Sequence, residues 1–150
     1  MGLDRLRAVL QRHRRIALDT SVFIYQLEAN ERYLPLTDCI FTWLERADSK
    51  AVTSTITMTE LLVRPYRDAD EELVDESYAL LSTYPNLEWI APTLEIADRA
   101  ARFRAVHRLR TPDALQAATA AYAGATAFLT NDEALERVEE LAVLILERFL

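Results

Sequence analysis

One cysteine, Cys39, stands in 150 residues. That scarcity excludes an internal disulfide and any cysteine-based zinc cluster, and it makes a reducing cytoplasm the expected setting. Two glycines are all the chain contains, and no segment is low in complexity, which excludes a disordered or repetitive polypeptide. The two histidines, His13 and His107, stand at no ligand-like spacing. No apolar run approaches the roughly 20 residues of a membrane span. The N-terminus, Met1-Gly2-Leu3-Asp4-Arg5-Leu6-Arg7, is amphipathic and lacks the apolar core of a signal peptide, so neither export nor anchoring is expected. An excess of positive charge is missing too: the net charge is −7, which argues against a protein that holds nucleic acid by a broad basic surface. The positive charge that exists is clustered. Residues 1–15 and residues 98–110 each carry five arginines against one aspartate. Such clusters are either solvated helix faces or phosphate contacts.

Apolar residues make up 51% of the chain, enough for a folded domain spanning 1–150 that buries roughly two-thirds of its unfolded surface. Leu3, Leu6, Val9 and Leu10 predict an amphipathic helix over 3–13, an N-terminal extension ahead of the first strand at 15–19. Helices are expected over 20–30 and 36–47, with Pro35 in the loop between them. A strand at 50–54 leads into a helix that opens with Thr55-Ile56-Thr57 and runs through Val63, with Pro65 soon after. A helix over 68–83, with Leu73, Tyr78, Leu80 and Leu81 inward, precedes a strand at 87–91 and a helix over 93–109. Thr111-Pro112-Asp113 reads as a helix start with Thr111 as N-cap. The alanine-rich helix that follows ends at Gly124 and predicts close packing. Strands at 125–129 and 141–146 complete the pattern. Strands alternating with helices imply an α/β three-layer sandwich with a five-stranded, mainly parallel central sheet.

In such a sheet ligands bind at the carboxyl ends of the strands. Four acids fall there by sequence: Asp19 after the first strand, Glu60 in the first turns after the second, Asp113 at a helix start, and Asp132 after the fourth. Each has an ordinary alternative. Asp19 suits a helix N-cap, and Thr57-x-x-Glu60 matches a capping box. Four carboxylates on one edge, however, repel one another and bury poorly unless a cation offsets them. All-oxygen donors suit a hard ion, Mg²⁺ or Mn²⁺. One or two such ions would create a site attractive to phosphate and able to activate water for in-line attack on a phosphodiester.

Leu18-Asp19-Thr20-Ser21, Thr57-x-x-Glu60-Leu61, Thr111-Pro112-Asp113-Ala114 and Leu129-Thr130-Asn131-Asp132, in this order and context, resemble the PIN-domain ribonucleases, in particular the VapC-like toxins of bacterial toxin–antitoxin pairs. The resemblance runs from about residue 15 to 147. It implies a parallel sheet between helices, a Mg²⁺- or Mn²⁺-dependent endoribonuclease, frequent homodimers, and a small antitoxin that occupies the active-site groove. It also implies that Asp19, Glu60, Asp113 and Asp132 hold metal directly or through water, supported by the hydroxyls of Thr20, Ser21 and Thr130. Asn131 beside the last acid is placed to cap the next helix. The basic extension departs from the small toxins, and Arg12, Arg14 and Arg15 are its candidates for RNA phosphate contact. Two other readings share the fold: a PIN nuclease of RNA processing outside any toxin pair, and a binding module without catalysis. Phosphotransfer of the haloacid dehalogenase kind would need a second aspartate where Ser21 stands. A receiver domain would need a lysine after the fifth strand, and the one lysine is Lys50.

Overall fold

A computed structural model describes residues 1–150. Helix α1 (Gly2–Gln11) leads into strand β1 (Arg15–Leu18), which is followed by α2 (Thr20–Leu27) and α3 (Leu34–Leu44). Strand β2 (Lys50–Ser54), α4 (Ile56–Arg67) and α5 (Glu71–Ser82) come next, then β3 (Leu87–Ile90), α6 (Leu94–His107) and α7 (Thr111–Tyr122). Strands β4 (Ala127–Thr130) and β5 (Val143–Ile145) are each followed by a short 3₁₀ turn. The sheet order is β3-β2-β1-β4-β5, and every pairing is parallel. The expected three-layer α/β architecture is the one found.

The two apolar layers follow from the alternation of side chains along a strand. Ile16 and Leu18 of β1, with Ala127 and Leu129 of β4, join a core of Leu6, Phe23, Ile40, Phe41 and Leu44 on one face. Ala17, Val52 and Phe128 point the other way, into a core with Ile96, Phe103 and the alanines of α7. Ala114, Ala117, Ala118 and Ala120 are all fully buried. Their small side chains let α7 lie close against both α6 and the sheet, so the alanine-rich stretch is central as expected. Gly124, at φ +69°, takes the left-handed conformation just beyond the end of α7, where a side chain would be strained.

Several local expectations are corrected. Pro35 lies in the first turn of α3 rather than in a loop, a position where its missing N–H costs nothing. Pro65 stays inside the last turn of α4, which runs on to Arg67. Thr111 is the first helical residue of α7, with Arg110 at the N-cap position. On α5 the inward line is Val74, Ser77 and Leu81, while Leu73, Tyr78 and Leu80 remain about half exposed. Apolar residues ring this helix and leave its face ambiguous by period. The small Ser77 marks the side that can approach its neighbours, and Trp89 Nε1 donates to the Leu81 carbonyl at 3.1 Å.

Candidate active site

In the order β3-β2-β1-β4-β5 the chain winds outward in one direction from β1 and then restarts on its other side with β4. The carboxyl ends of β1 and β4 therefore flank the crevice where such sheets bind ligands. Asp19 ends β1 and occupies the N-cap position of α2; its Oδ1 accepts from the Thr20 backbone N–H at 2.9 Å. Its Oδ2 accepts from the Thr130 hydroxyl, at the end of β4, at 2.6 Å. Only 7% of Asp19 is exposed. Burial, opposed by those two hydrogen bonds and reinforced by the charges of Asp113 and Glu60, pushes its carboxyl up to about 6.

Glu60 comes from the second turn of α4, and its Oε1 accepts from the Thr20 hydroxyl at 2.7 Å. The capping box, the ordinary alternative for Glu60, is absent. Thr55, not Thr57, is the N-cap residue of α4, and the Thr57 hydroxyl turns into the buried interior, 2.8 Å from that of Thr53. Asp113, in the first turn of α7, pairs through Oδ2 with Arg110 Nε at 3.2 Å. Burial raises its carboxyl, Arg110 pulls it down, and the neighbouring Asp132 raises it again. Asp132 follows β4, and its Oδ1 caps the next turn by accepting from the Ala134 N–H at 2.9 Å.

The fold thus brings the four acids to one edge as neighbours. It does not close them into a cage: no three Asp, Glu, His or Cys side chains are drawn together at metal-ligand spacing. Two of the acids have a side-chain partner of their own, Thr20 donating to Glu60 and Arg110 to Asp113. The donor set nevertheless fits a hard divalent ion, being all oxygen and mutually repelling, with a guanidinium supplying the compensating charge at Asp113.

A family model for the PIN domain matches residues 16–141. The chain belongs to the PIN domain family. The family is one of nucleases, and the matched span contains all four acids. No curated protein matches the chain. Among solved structures the fold is similar to VapBC-1 of nontypeable Haemophilus influenzae, with TM-score 0.69 and 17% identity over 89% of this chain and 98% of that one. It is also similar to a toxin–antitoxin complex from Klebsiella pneumoniae, with TM-score 0.66 and 20% identity over 87% and 97% of the two chains. VapBC2 of Rickettsia felis, bound to a fragment of its promoter DNA, gives TM-score 0.67 and 16% identity over 87% and 98%.

The remaining expected residues of this PIN domain divide. Thr20 and Thr130 bond the acids as described. The Ser21 hydroxyl is buried without a partner. Asn131 does not cap the next turn; its Nδ2 donates to the Tyr25 hydroxyl at 3.1 Å, and its Oδ1 accepts from the Glu147 N–H at 2.9 Å. It pins the chain after β5 beside the site and leaves capping to Asp132. Arg12, Arg14 and Arg15 are not brought to the acids. They stand at the amino end of β1, the opposite end of the strand from Asp19, and Arg15 pairs with Glu88 at 2.7 Å. Replacing Arg15 with glutamine is expected to cost under about 1 kcal/mol, as partly exposed pairs do. It should leave the KM for a nucleic-acid substrate unchanged; a raised KM would restore the arginines as substrate contacts.

Three residues of the site escaped the sequence reading. Arg110 counted only as part of a basic run, yet it sits three residues before Asp113, where helix spacing makes the two neighbours. Thr57 was hidden by its match to a capping motif. Gln116, whose amide lies 2.7 Å from the Thr57 hydroxyl and 3.2 Å from that of Thr20, had no motif at all.

Proposed function

We propose that this PIN domain is a Mg²⁺- or Mn²⁺-dependent endoribonuclease and the cytoplasmic toxin of a toxin–antitoxin pair, inhibited by its antitoxin. The observation that carries the reading is the convergence of Asp19, Glu60, Asp113 and Asp132 at the switch in strand order, with the most buried of them resisting ionisation. Four acids in one crevice with a single guanidinium, that of Arg110, to offset them are costly to fold and gain a purpose with a cation. These four carboxylates would hold the ion or ions. A divalent ion there supplies charge that activates water and stabilises the leaving oxygen of a phosphodiester.

The chain's own groups prepare that place. Thr130 and the Thr20 N–H fix both oxygens of Asp19, and Thr20 fixes one oxygen of Glu60, so the acids are oriented before any ligand arrives. Arg110, whose guanidinium is largely exposed, can turn from Asp113 to an RNA phosphate without leaving the helix start. Similarity in fold to VapBC complexes supports an antitoxin partner. A homodimer fits the apolar groove of about 910 Å³ along α4, α5 and β3, lined by Met58, Leu62, Val63, Tyr66, Tyr78 and Trp89. Sedimentation should give a dimer that Tyr66→Glu converts to a monomer; a monomeric wild type would remove the dimer from the reading.

The test of the function is cleavage of single-stranded RNA by purified protein with Mn²⁺. Activity should vanish in chelator and return when Mn²⁺ is restored. Cleavage at full rate in chelator would overturn the mechanism.

A further inference from the structure

Below the acids lies a polar cluster in an otherwise apolar interior, contributed by α2, β2, α4 and α7. Gln116, 3% exposed, donates from Nε2 to the Thr57 hydroxyl at 2.7 Å and to the Thr20 hydroxyl at 3.2 Å. Thr53 donates to the Leu18 carbonyl at 2.9 Å and stands 2.8 Å from Thr57. Thr20 donates to Glu60 at 2.7 Å.

Counting protons assigns every direction in this cluster. A hydroxyl has one hydrogen to give and two lone pairs to accept with. Thr53 gives its hydrogen to the Leu18 carbonyl, so it accepts from Thr57. Thr57 has then spent its hydrogen, and its lone pair receives the first N–H of Gln116. The second N–H of Gln116 occupies a lone pair of Thr20. The Thr20 hydrogen is left with two acceptors, Thr57 at 3.3 Å and Glu60 at 2.7 Å. Because Gln116 already feeds Thr57, the shorter, charge-assisted bond to Glu60 prevails.

We propose that Gln116 is a positioning residue of the nuclease site: its amide, by donating to both threonines, commits the Thr20 hydroxyl to Glu60 and so fixes the carboxylate's rotamer for metal. Without the amide, the Thr20 hydrogen can turn to the vacated Thr57 oxygen, and Glu60, on the exposed rim of α4, is free to turn into solvent. A carboxylate that is held presents its second oxygen to the ion at no further ordering cost, which is why partners behind metal ligands commonly contribute 10–100-fold to affinity. This inference rests on the metal-site reading above.

The experiment measures Mn²⁺ affinity, from the electron paramagnetic resonance signal of free Mn²⁺, for wild type, Gln116→Met, Thr20→Val, Thr20→Ser, the Gln116→Met/Thr20→Val pair and Asp113→Asn. Gln116→Met is expected to weaken Mn²⁺ about tenfold, the low end for such partners. Thr20→Val should weaken it as much or more, Thr20→Ser should bind like wild type, and the pair should be no weaker than Thr20→Val alone. An unchanged affinity for Gln116→Met, or the same tenfold loss again in the Thr20→Val background, would overturn the inference while leaving the metal site standing. Equal affinity of wild type and Asp113→Asn would overturn the metal site and the inference with it. Should Gln116→Met not fold, the wild type decides by nuclear magnetic resonance. The two side-chain amide protons of Gln116 should be resolved, slow to exchange, and shifted when Mg²⁺ is added. Fast exchange, or no shift on Mg²⁺, would overturn the assignment.

Discussion

Asp19→Asn is expected to abolish RNA cleavage and, in the same molecule, to stabilise the metal-free protein at neutral pH. Loss of a carboxylate that would hold the proposed ion should remove several kcal/mol of charge stabilisation from the transition state, and at 1.36 kcal/mol per tenfold that is about 10³-fold or more in rate. The stability effect has its own sign. The Asp19 carboxyl is raised from 3.8 to about 6 in the folded protein, so the native state holds its proton where the unfolded chain has released it. The stabilising contribution of the protonated group is fully present below pH 3.8 and is lost as pH rises through about 6. At pH 7 the ionised group costs on the order of 3 kcal/mol relative to a neutral one, at 1.36 kcal/mol per pH unit of displacement. Asparagine removes that cost. Its carbonyl still accepts from the Thr20 N–H, although its amide forces the Thr130 hydroxyl to turn round, which returns part of the gain. Denaturant unfolding in chelator should show Asp19→Asn more stable than wild type by about 1–3 kcal/mol at pH 7 and equal at pH 4. If Asp19 serves only as a cap, the substitution leaves cleavage intact and the stability difference does not vary with pH.

The fold was legible because its signals are additive. The strands expected at 15–19 and 50–54 match β1 and β2 within a residue, since Ile16-Ala17-Leu18 and Ala51-Val52 give the short apolar centre that a strand covered on both faces needs. Asp19 and Asp132 were legible because they sit at strand ends, and strand ends follow from strand positions; Glu60 and Asp113 were legible because they fall in the opening turns of helices. What was hidden depended on which face a residue presents. Thr57-x-x-Glu60 satisfied a local motif, but β2 delivers α4 two residues earlier than that motif requires, and Thr57 turns inward to Thr53. Gln116 sits among alanines whose spacing shows only that α7 is packed. A glutamine there acquires meaning when α2 and α4 bring Thr20 and Thr57 to it. The arginines of 12–15 misled because proximity in sequence to Asp19 is distance in space: a strand carries its two ends apart.

Binding of the proposed antitoxin should be weakened both by Mn²⁺ and by Asp113→Asn. The acids in this site are already engaged by one guanidinium, that of Arg110 on Asp113, and the arginine's own charged form is favoured by Asp113, Asp132 and Glu60 together. The site therefore accepts an arginine as a substitute for a cation. A partner that inhibits by inserting Arg or Lys among these acids competes with metal for the same oxygens, and with Arg110 for one of them. The Asp113 side chain is 13% exposed, so a partner covering it would desolvate the new pair. Truncating one member of such a pair costs about 2–5 kcal/mol. Arg110→Ala should act in the opposite direction and only slightly, by a few-fold, because an exposed pair is worth about 0–1 kcal/mol. Calorimetry of the protein with its co-encoded partner, with and without Mn²⁺, separates the cases. An affinity that neither Mn²⁺ nor Asp113→Asn alters would mean that the partner docks away from the acids and inhibits by covering the path of the RNA.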